Sequence, residues 1–297
     1  MKSFFGLLAI TITLASCSND NSLDFSGVDS ALTVQPTQVM VLGTSHLTNY
    51  SDDISLDELE PLLNRLEAYA PDVITIEASS GMTCNRARVY EREHIGYGDY
   101  YCFDGSPFRE ESGLSVQEGS FQARKALLEW PESPNASQRR ALAAAFIASE
   151  EPESALVQWF QLDSSDRVSG EGLGPKSMAM LERRSQSINE IRSIAARLAA
   201  RRGLERVYYA DDHGSFLSAA GEDEAWGARL SELWPSEGDS CKTQGESVTA
   251  KLTGGDIIGA YREQNSVNWQ RKKMDCDFKR TMNDAQSGQY GRKYTMG

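Results

Sequence analysis

The chain has 297 residues, of which 30 are lysine or arginine and 43 are aspartate or glutamate, so its formal net charge at pH 7 is −13. This acidic balance argues against nucleic acid as a partner and against direct binding to anionic lipid headgroups. The length suits one large α/β domain or two small ones, and no internal repeat or sharp linker divides the sequence.

The N-terminus predicts a bacterial lipoprotein. A short apolar stretch ends in Leu14-Ala15-Ser16-Cys17, which matches a lipobox. We therefore expect residues 1–16 to be a signal peptide cleaved before Cys17, and Cys17 to carry the lipid that anchors the protein to the membrane. Ser18 favours the outer membrane of the cell envelope over the inner one. Residues 17–38 would then form a lipidated, flexible tether, and residues 39–297 a single domain.

This domain begins with the pattern of a βαβ unit. Val39–Leu42 and Val73–Ile76 are short, apolar, β-branched runs, and between them leucines recur at helical spacing. A parallel crossover places the carboxyl ends of both strands at one edge of the sheet. His46 follows the first run and Glu77 the second, so we expect both side chains in one crevice. The pattern predicts an α/β fold with a central, mostly parallel sheet flanked by helices.

Two interpretations of this pair of residues remain open. Gly43 would let the backbone bend sharply as it leaves the first strand, and Thr44 and Ser45 would offer hydroxyls near the imidazole. His46 and Glu77 would then be catalytic residues or metal ligands. They would equally fit a hydrogen-bonded histidine and a solvated carboxylate with no chemical role.

The segment Gly43-Thr44-Ser45-His46-Leu47, followed by a helix and a strand ending in Ile76-Glu77, resembles the start of the TraB/GumN/Tiki group, which includes EreA-like and ChaN-like proteins. Gly43, His46 and Glu77 occupy the motif positions. In this group Tiki members are metal-dependent proteases, EreA-type relatives hydrolyse macrolide lactones, and ChaN-type relatives are haem-binding lipoproteins. The resemblance thus implies one fold with several functions.

The sequence departs from this family near its C-terminus. Members carry a second Gly-x-x-His motif after an Arg-rich helix and an apolar strand. Here the helical run around Lys279 is followed by a polar stretch that stops at Gly297. We therefore expect either a C-terminally truncated reading frame, which we prefer, or a branch that has dispensed with half of the site.

The middle of the chain predicts an inserted helical layer followed by one long helix. Phe121–Trp130, Ser137–Ser149 and Pro152–Leu162 are the helical candidates of the insertion. Ser177–Arg202 keeps an apolar helical period throughout and predicts a single helix. Leu204–Ala210 then reads as a further buried strand.

Three polar residues that could bind a metal follow this last strand. Asp211, Asp212 and His213 would lie at the same sheet edge as His46 and Glu77, and together they would form a cluster of nitrogen and oxygen ligands for zinc, manganese or iron. Asp-Asp-His-Gly is also a common polar turn, and the sequence does not choose between the two interpretations.

Four cysteines besides Cys17 predict two disulfides in an oxidising compartment. Three pairings are possible, and we prefer Cys84–Cys102 and Cys241–Cys276 because each pair is close in sequence. A zinc site built from all four thiolates is the alternative, but no Cys-x-x-Cys spacing supports it.

The functional hypothesis that follows is a metal-dependent hydrolase of protease or esterase type, anchored as a lipoprotein and acting on a peptide or a small molecule. His46 and Glu77 would be its catalytic residues. The missing second motif leaves open whether the chain is active. The alternatives are a non-enzymatic lipoprotein that binds haem or another ligand, and a surface lipoprotein with a vestigial site.

Overall fold

The computed structural model describes residues 37–91, 96–211, 228–229, 231–233, 243–277, 279 and 283–284. The described residues from 42 onward form one compact unit. Its described part is rich in helix and contains a two-stranded sheet.

The sheet pairs two of the predicted strands. β1 (Thr75–Ile76) and β2 (Tyr208–Tyr209) are parallel, with Thr75 opposite Tyr208 and Ile76 opposite Tyr209. The amide of Tyr208 donates to the carbonyl of Ile74 at 2.9 Å, and that of Ala210 donates to Ile76 at 3.0 Å. The parallel pairing of these two runs is therefore confirmed, whereas a broad central sheet is not found among the described residues.

The predicted strand Val39–Leu42 is wrong. Residues 37–46 have no regular secondary structure, and the side chains of Val39 and Val41 are 78% and 84% exposed. Apolar, β-branched composition favours a strand only where a neighbouring strand and a buried face are present. Here the backbone of Gly43 bonds to the side chain of Asn265 instead of to a strand.

The helices up to the middle of the chain agree in part with the predicted ones. A 3-10 turn at Asp57–Leu59 leads into the first helix, where a leucine-rich helix was expected. The helices are α1 (Glu60–Tyr69), α2 (Gly81–Val89), α3 (Tyr97–Tyr101), α4 (Ser106–Ser112), α5 (Val116–Leu128), α6 (Ala136–Ala148) and α7 (Pro152–Phe160). Of these, α1, α5, α6 and α7 match predicted ones, whereas the three helices between α1 and α5 were not predicted. Capping boxes at Ser115 and Asn135 fix the starts of α5 and α6.

The predicted long helix Ser177–Arg202 is broken in two. α8 (Pro175–Ser185) ends before a π-helix (Glu190–Ala196), which continues as α9 (Arg197–Arg201). Local side-chain bonds compete with the helix at the break: Ser187 Oγ donates to the carbonyl of Arg184 at 2.8 Å. The side chain of Asn189 then accepts from the amides of Ile191 and Arg192 and starts the second helix. The break places Glu190 at a helix start.

After β2, the structure gives the bounds of the helices α10 (Glu246–Thr253), α11 (Ile257–Gln264) and α12 (Val267–Asp277). Two large apolar clusters pack the described part of the domain, and a smaller one surrounds Cys84. One is centred on α6 and α7 and includes Phe146, Leu156 and Trp159. The other joins α1, α10 and α11 to the loop that carries His46, and it includes Leu47 and Tyr261. The second cluster therefore packs against the loop that carries the predicted site.

A chain of buried ion pairs lies at the start of α7. Glu150, whose side chain is 1% exposed, pairs with both Arg88 and Arg109. The next residue, Glu151, pairs with Arg206 at 2.8 Å. These pairs connect α2, α4 and the segment before β2 to one turn between α6 and α7.

The predicted disulfide Cys84–Cys102 is present and joins α2 to the residue after α3. Cys276 is buried in α12, but Cys17 and Cys241 lie outside the described residues, so their lipidation and pairing stay predictions. Within the ranges that the structure describes, no helix has both the length and the apolar character needed to cross a membrane.

Candidate functional site

The loop from Gly43 to His46 is held against the C-terminal end of α11. Oδ1 of Asn265 accepts a hydrogen bond from the amide of Gly43 at 2.7 Å, and its Nδ2 donates to the carbonyl of Gly43 at 2.8 Å. Ser45 Oγ donates to Gln264 Oε1 at 2.9 Å. These bonds fix the backbone on which His46 is carried.

The role expected of Gly43, a sharp turn at a strand end, is wrong. Its φ is not positive, and the described residues before it, 37–42, form no strand. A Cβ atom at this position would lie 3.1 Å from Oδ1 of Asn265, which is tighter than ordinary van der Waals contact. Glycine is therefore suited to this position because the Asn265 side chain approaches the backbone closely.

His46 pairs with a carboxylate that the sequence analysis did not identify. Its Nδ1 atom lies 2.9 Å from Oε1 of Glu190, and the amide of Leu47 donates to Oε2 of the same residue at 2.9 Å. The imidazole is 74% exposed, whereas the Glu190 side chain is only 11% exposed. Glu190 thus holds both the ring and the backbone beside it, and Nε2 is the ring nitrogen left for a ligand or a proton.

The pKa of His46 is raised above its ordinary value, chiefly because Nδ1–H donates to the Glu190 carboxylate. Partial burial opposes this rise, and the negative charges of Glu190 and Glu77 add to it. The Glu77 carboxylate is therefore close enough to act on the imidazole electrostatically.

Glu77 and Asp211 follow the two paired strands, as predicted. Glu77 comes directly after β1 and is exposed; Asp211 comes two residues after β2, and its amide donates to the carbonyl of Ala78 at 3.3 Å. Because the strands are parallel, both residues lie at the carboxyl edge of the sheet. Asp212 and His213 lie outside the described residues. In the part of the chain that is described, no group of three or more His, Cys, Asp and Glu side chains is arranged to hold a metal ion.

Tyr261 is a buried residue on α11 that is close enough to Glu190 to be affected by its charge. It is 3% exposed and packs in the cluster that contains Leu47. Burial raises the pKa of its hydroxyl, and the negative charge of Glu190 raises it further, so the phenol stays neutral. Its hydroxyl finds no hydrogen-bond partner among the described residues.

The residues that sequence analysis missed are Glu190, Gln264, Asn265 and Tyr261. Asn189-Glu190 does carry a signal, since an asparagine followed by an acidic residue is a common helix start. The apolar period that runs through Ile188 and Ile191 concealed it. Asn265 follows a helix end in the described structure and has no comparable sequence signature.

Comparison with known proteins found no matching family model, no matching curated protein and no matching solved structure.

Proposed function

We propose that the loop Gly43–Leu47 forms the centre of a hydrolytic site of the TraB/Tiki type. His46 acts as the general base, Glu190 orients it, and Glu77 supplies a second carboxylate at the sheet edge. The substrate is a peptide or an ester. The single observation that carries this proposal is the bond of 2.9 Å between His46 Nδ1 and Glu190 Oε1.

A carboxylate paired with one imidazole nitrogen does three things that hydrolysis needs. It fixes the tautomer, so that Nε2 is the nitrogen that accepts a proton; it fixes the ring orientation; and it stabilises the imidazolium that forms. Glu190 is well suited because its second oxygen is held by the amide of Leu47. The exposed His46 ring, in contrast, is accessible to a substrate.

The chemical step uses these groups directly. His46 Nε2 takes a proton from a water molecule while the water oxygen adds to the carbonyl carbon of the substrate. The resulting imidazolium is stabilised by Glu190. When the carbonyl re-forms, the bond to the leaving nitrogen or oxygen breaks and the imidazolium returns the proton to that atom. Glu77 keeps the local potential negative and supports the protonated form of His46.

A divalent metal fits this donor set only in part. His46 would bind through Nε2, since a ligating histidine commonly gives its other ring N–H to a carboxylate. Glu77 would be a second ligand. Asp211, which follows the neighbouring strand β2, lies at the same edge of the sheet. Catalytic zinc takes about three protein ligands, so Asp212 or His213 would have to complete the set. A bound zinc, manganese or iron ion would polarise the carbonyl and lower the pKa of water.

We also propose that the protein belongs to the bacterial cell envelope and is attached to the outer membrane through a lipid on Cys17. The parallel pairing of β1 and β2, which brings Glu77 and Asp211 to one edge of the sheet, supports the position of the site.

A panel of hydrolysis assays tests the proposal. Peptide, ester and lactone substrates are incubated with protein that has been stripped with chelator and then supplied with zinc, manganese, iron or no metal. Activity should be lost in His46→Ala and reduced by about 10²-fold or more in Glu190→Gln. Glu182→Gln, an exposed carboxylate on α8, is the matched control and should leave activity unchanged.

The alternative function as a haem-binding lipoprotein is tested on the same samples. His46 is 74% exposed and could reach an axial position. Haem titration followed in the Soret region would support this alternative if a bound spectrum appears in the wild type and disappears in His46→Ala. Hydrolysis that depends on His46 without haem binding would support the hydrolytic proposal instead.

A further inference from the structure

The outward face of α5 carries large apolar side chains that the domain leaves uncovered. Phe121 is 65% exposed and Leu128 is 88% exposed, and Met82 at the start of α2, 42% exposed, lies beside them. These residues line an open groove with a volume of about 440 Å³, together with Gln117, Ser120, Arg124 and Lys125. Exposed apolar surface gathered in a groove is typical of an interaction site.

The opposite face of α5 holds the helix rigidly in place. Val116, Gly119 and Ala123 are buried. A Cβ atom at Gly119 would lie 2.7 Å from the amide nitrogen of Ser149 and 2.8 Å from the carbonyl oxygen of Ala145, so α5 is in direct backbone contact with the end of α6. The groove is therefore built on a fixed helix and is formed before any partner arrives.

Among the described residues, the charged side chains that line the groove have one sign. They are Arg124 and Lys125. Neither forms an ion pair within the described part of the chain, whereas the chain as a whole has a net charge of −13. Two unpaired cations beside apolar side chains on an otherwise acidic protein complement a partner that presents carboxylates next to apolar anchors.

We propose that this groove binds an acidic amphipathic segment of another protein, with apolar side chains seated against Phe121, Leu128 and Met82 and carboxylates paired with Arg124 and Lys125. Phe121 and Leu128 are seven residues apart, which on a helix is a separation of about 10 Å. That spacing matches the anchors that an amphipathic helix presents at positions i and i+7. The inference is independent of the hydrolytic proposal.

Two other occupants fit less well. A second copy of the chain in a two-fold arrangement would present the same apolar stripe and the same two cations, and the three exposed apolar side chains are few for an interface that needs about 800 Å² on each partner. An anionic bilayer would be repelled at long range by the net negative charge.

The experiment uses the mature full-length chain and two synthetic peptides. Both peptides are helical, about 14 residues long, with leucines at i, i+3, i+4 and i+7. One carries glutamates on the flanks of the leucine stripe, and the other carries lysines at the same positions. Fluorescence anisotropy at about 50 mM salt measures binding. The acidic peptide should bind at least about tenfold more tightly than the basic one.

Variants at exposed positions locate the contact. Arg124→Glu combined with Lys125→Glu should reverse the preference between the two peptides, and Phe121→Ala should weaken binding of the acidic peptide by about tenfold. Arg271→Glu combined with Lys272→Glu, on the exposed part of α12, makes the same charge change elsewhere. That control should leave binding within about twofold of the wild type. Circular dichroism verifies that each variant is folded.

Several outcomes would overturn the proposal. These are equal binding of the two peptides, wild-type binding of the acidic peptide by the variant with both charges reversed, or an equal loss of binding in the control. Sedimentation that reveals self-association dependent on Phe121 would assign the groove to a second copy instead. Co-sedimentation with phosphatidylglycerol vesicles that depends on Phe121 would assign it to a membrane.

Discussion

Nδ1 of His46 and Oε1 of Glu190 lie 2.9 Å apart although 144 residues separate them in the sequence. Because the second oxygen of Glu190 receives the amide of Leu47, the carboxylate joins the predicted His-containing loop to the start of the π-helix. This one residue therefore determines both the position and the protonation of the imidazole.

The pKa of His46 should fall when Glu190 is replaced by glutamine. The raised pKa depends mainly on the Glu190 carboxylate, so Glu190→Gln should return the pKa toward its ordinary value of 6.5. Titration of the imidazole resonances by NMR, in protein free of metal, measures this change. An unchanged pKa would show that the carboxylate and the ring are not paired in solution.

The same pair makes stability depend on pH in a defined direction. Because the folded state raises the pKa of His46, its contribution is fully present below the ordinary value of 6.5 and is lost as the pH rises through the folded value. The difference in free energy of unfolding between wild type and Glu190→Gln should therefore be larger at about pH 5.5 than at about pH 8.5.

Gly43 and Asn265 should show strong coupling in a double-mutant cycle. Gly43→Ala places a Cβ atom 3.1 Å from Oδ1 of Asn265 and should cost about 1–2 kcal/mol of stability. Asn265→Ala removes the two bonds to Gly43 and should cost about 1–2 kcal/mol.

In the double variant the clash is absent, so its cost should not exceed that of Asn265→Ala alone. Urea unfolding of the four proteins measures the cycle. Additive costs would contradict the close approach of Asn265 to the backbone of Gly43.

The neighbouring carboxylates Glu150 and Glu151 should respond differently to neutralisation. Glu150 is the shared counter-charge of Arg88 and Arg109, so Glu150→Gln should destabilise the fold by about 3 kcal/mol. Burial raises the pKa of Glu151, against the opposing effect of Arg206. Glu151→Gln should therefore cost less stability than Glu150→Gln near neutral pH, because burial already disfavours the ionised form of Glu151.

The sign of the pH effect at Glu151 follows from its raised pKa. The folded state binds the proton more tightly than the unfolded state, so wild type should lose stability relative to Glu151→Gln as the pH rises from the ordinary glutamate range through the folded value. Thermal unfolding across this range measures the difference. A gain in the relative stability of wild type with rising pH would contradict the assignment.

Mass spectrometry tests the predicted lipidation and the predicted second disulfide. The N-terminal peptide of the mature protein should begin at a lipid-modified Cys17, and non-reducing peptide maps should link Cys241 to Cys276 as well as Cys84 to Cys102. An unmodified Cys17 would remove the membrane attachment, and a linkage of Cys241 to any other cysteine would refute the preferred pairing.

The sequence predicted strands and helices correctly where burial and local side-chain chemistry favoured the same element. The apolar runs before Glu77 and Asp211 are paired in parallel, with Ile76 and Val207 buried in one apolar cluster, and α5 and α6 begin at residues that cap helices well. The run Val39–Leu42 has a similar composition, but its valines are exposed and it pairs with neither described strand. Composition alone does not reveal what lies next to a segment.

The candidate site was only half predictable for the same reason. His46 and Glu77 follow recognisable motifs, whereas Glu190 reaches His46 only because the helix breaks at Asn189. The apolar period continues across that break, and the bonds that decide it come from serine and asparagine side chains. Pairings across 144 residues depend on the tertiary fold, which no local pattern encodes.

The role of His46 as general base is tested by the pH dependence of kcat/KM for the best substrate of the hydrolysis panel, in wild type, Glu190→Gln and His46→Ala. We predict that the acidic limb in the wild type coincides with the pKa of His46 from NMR, moves to lower pH in Glu190→Gln as the rate falls, and vanishes with the activity in His46→Ala. Wild-type activity in His46→Ala, or an acidic limb that Glu190→Gln leaves in place, would contradict it.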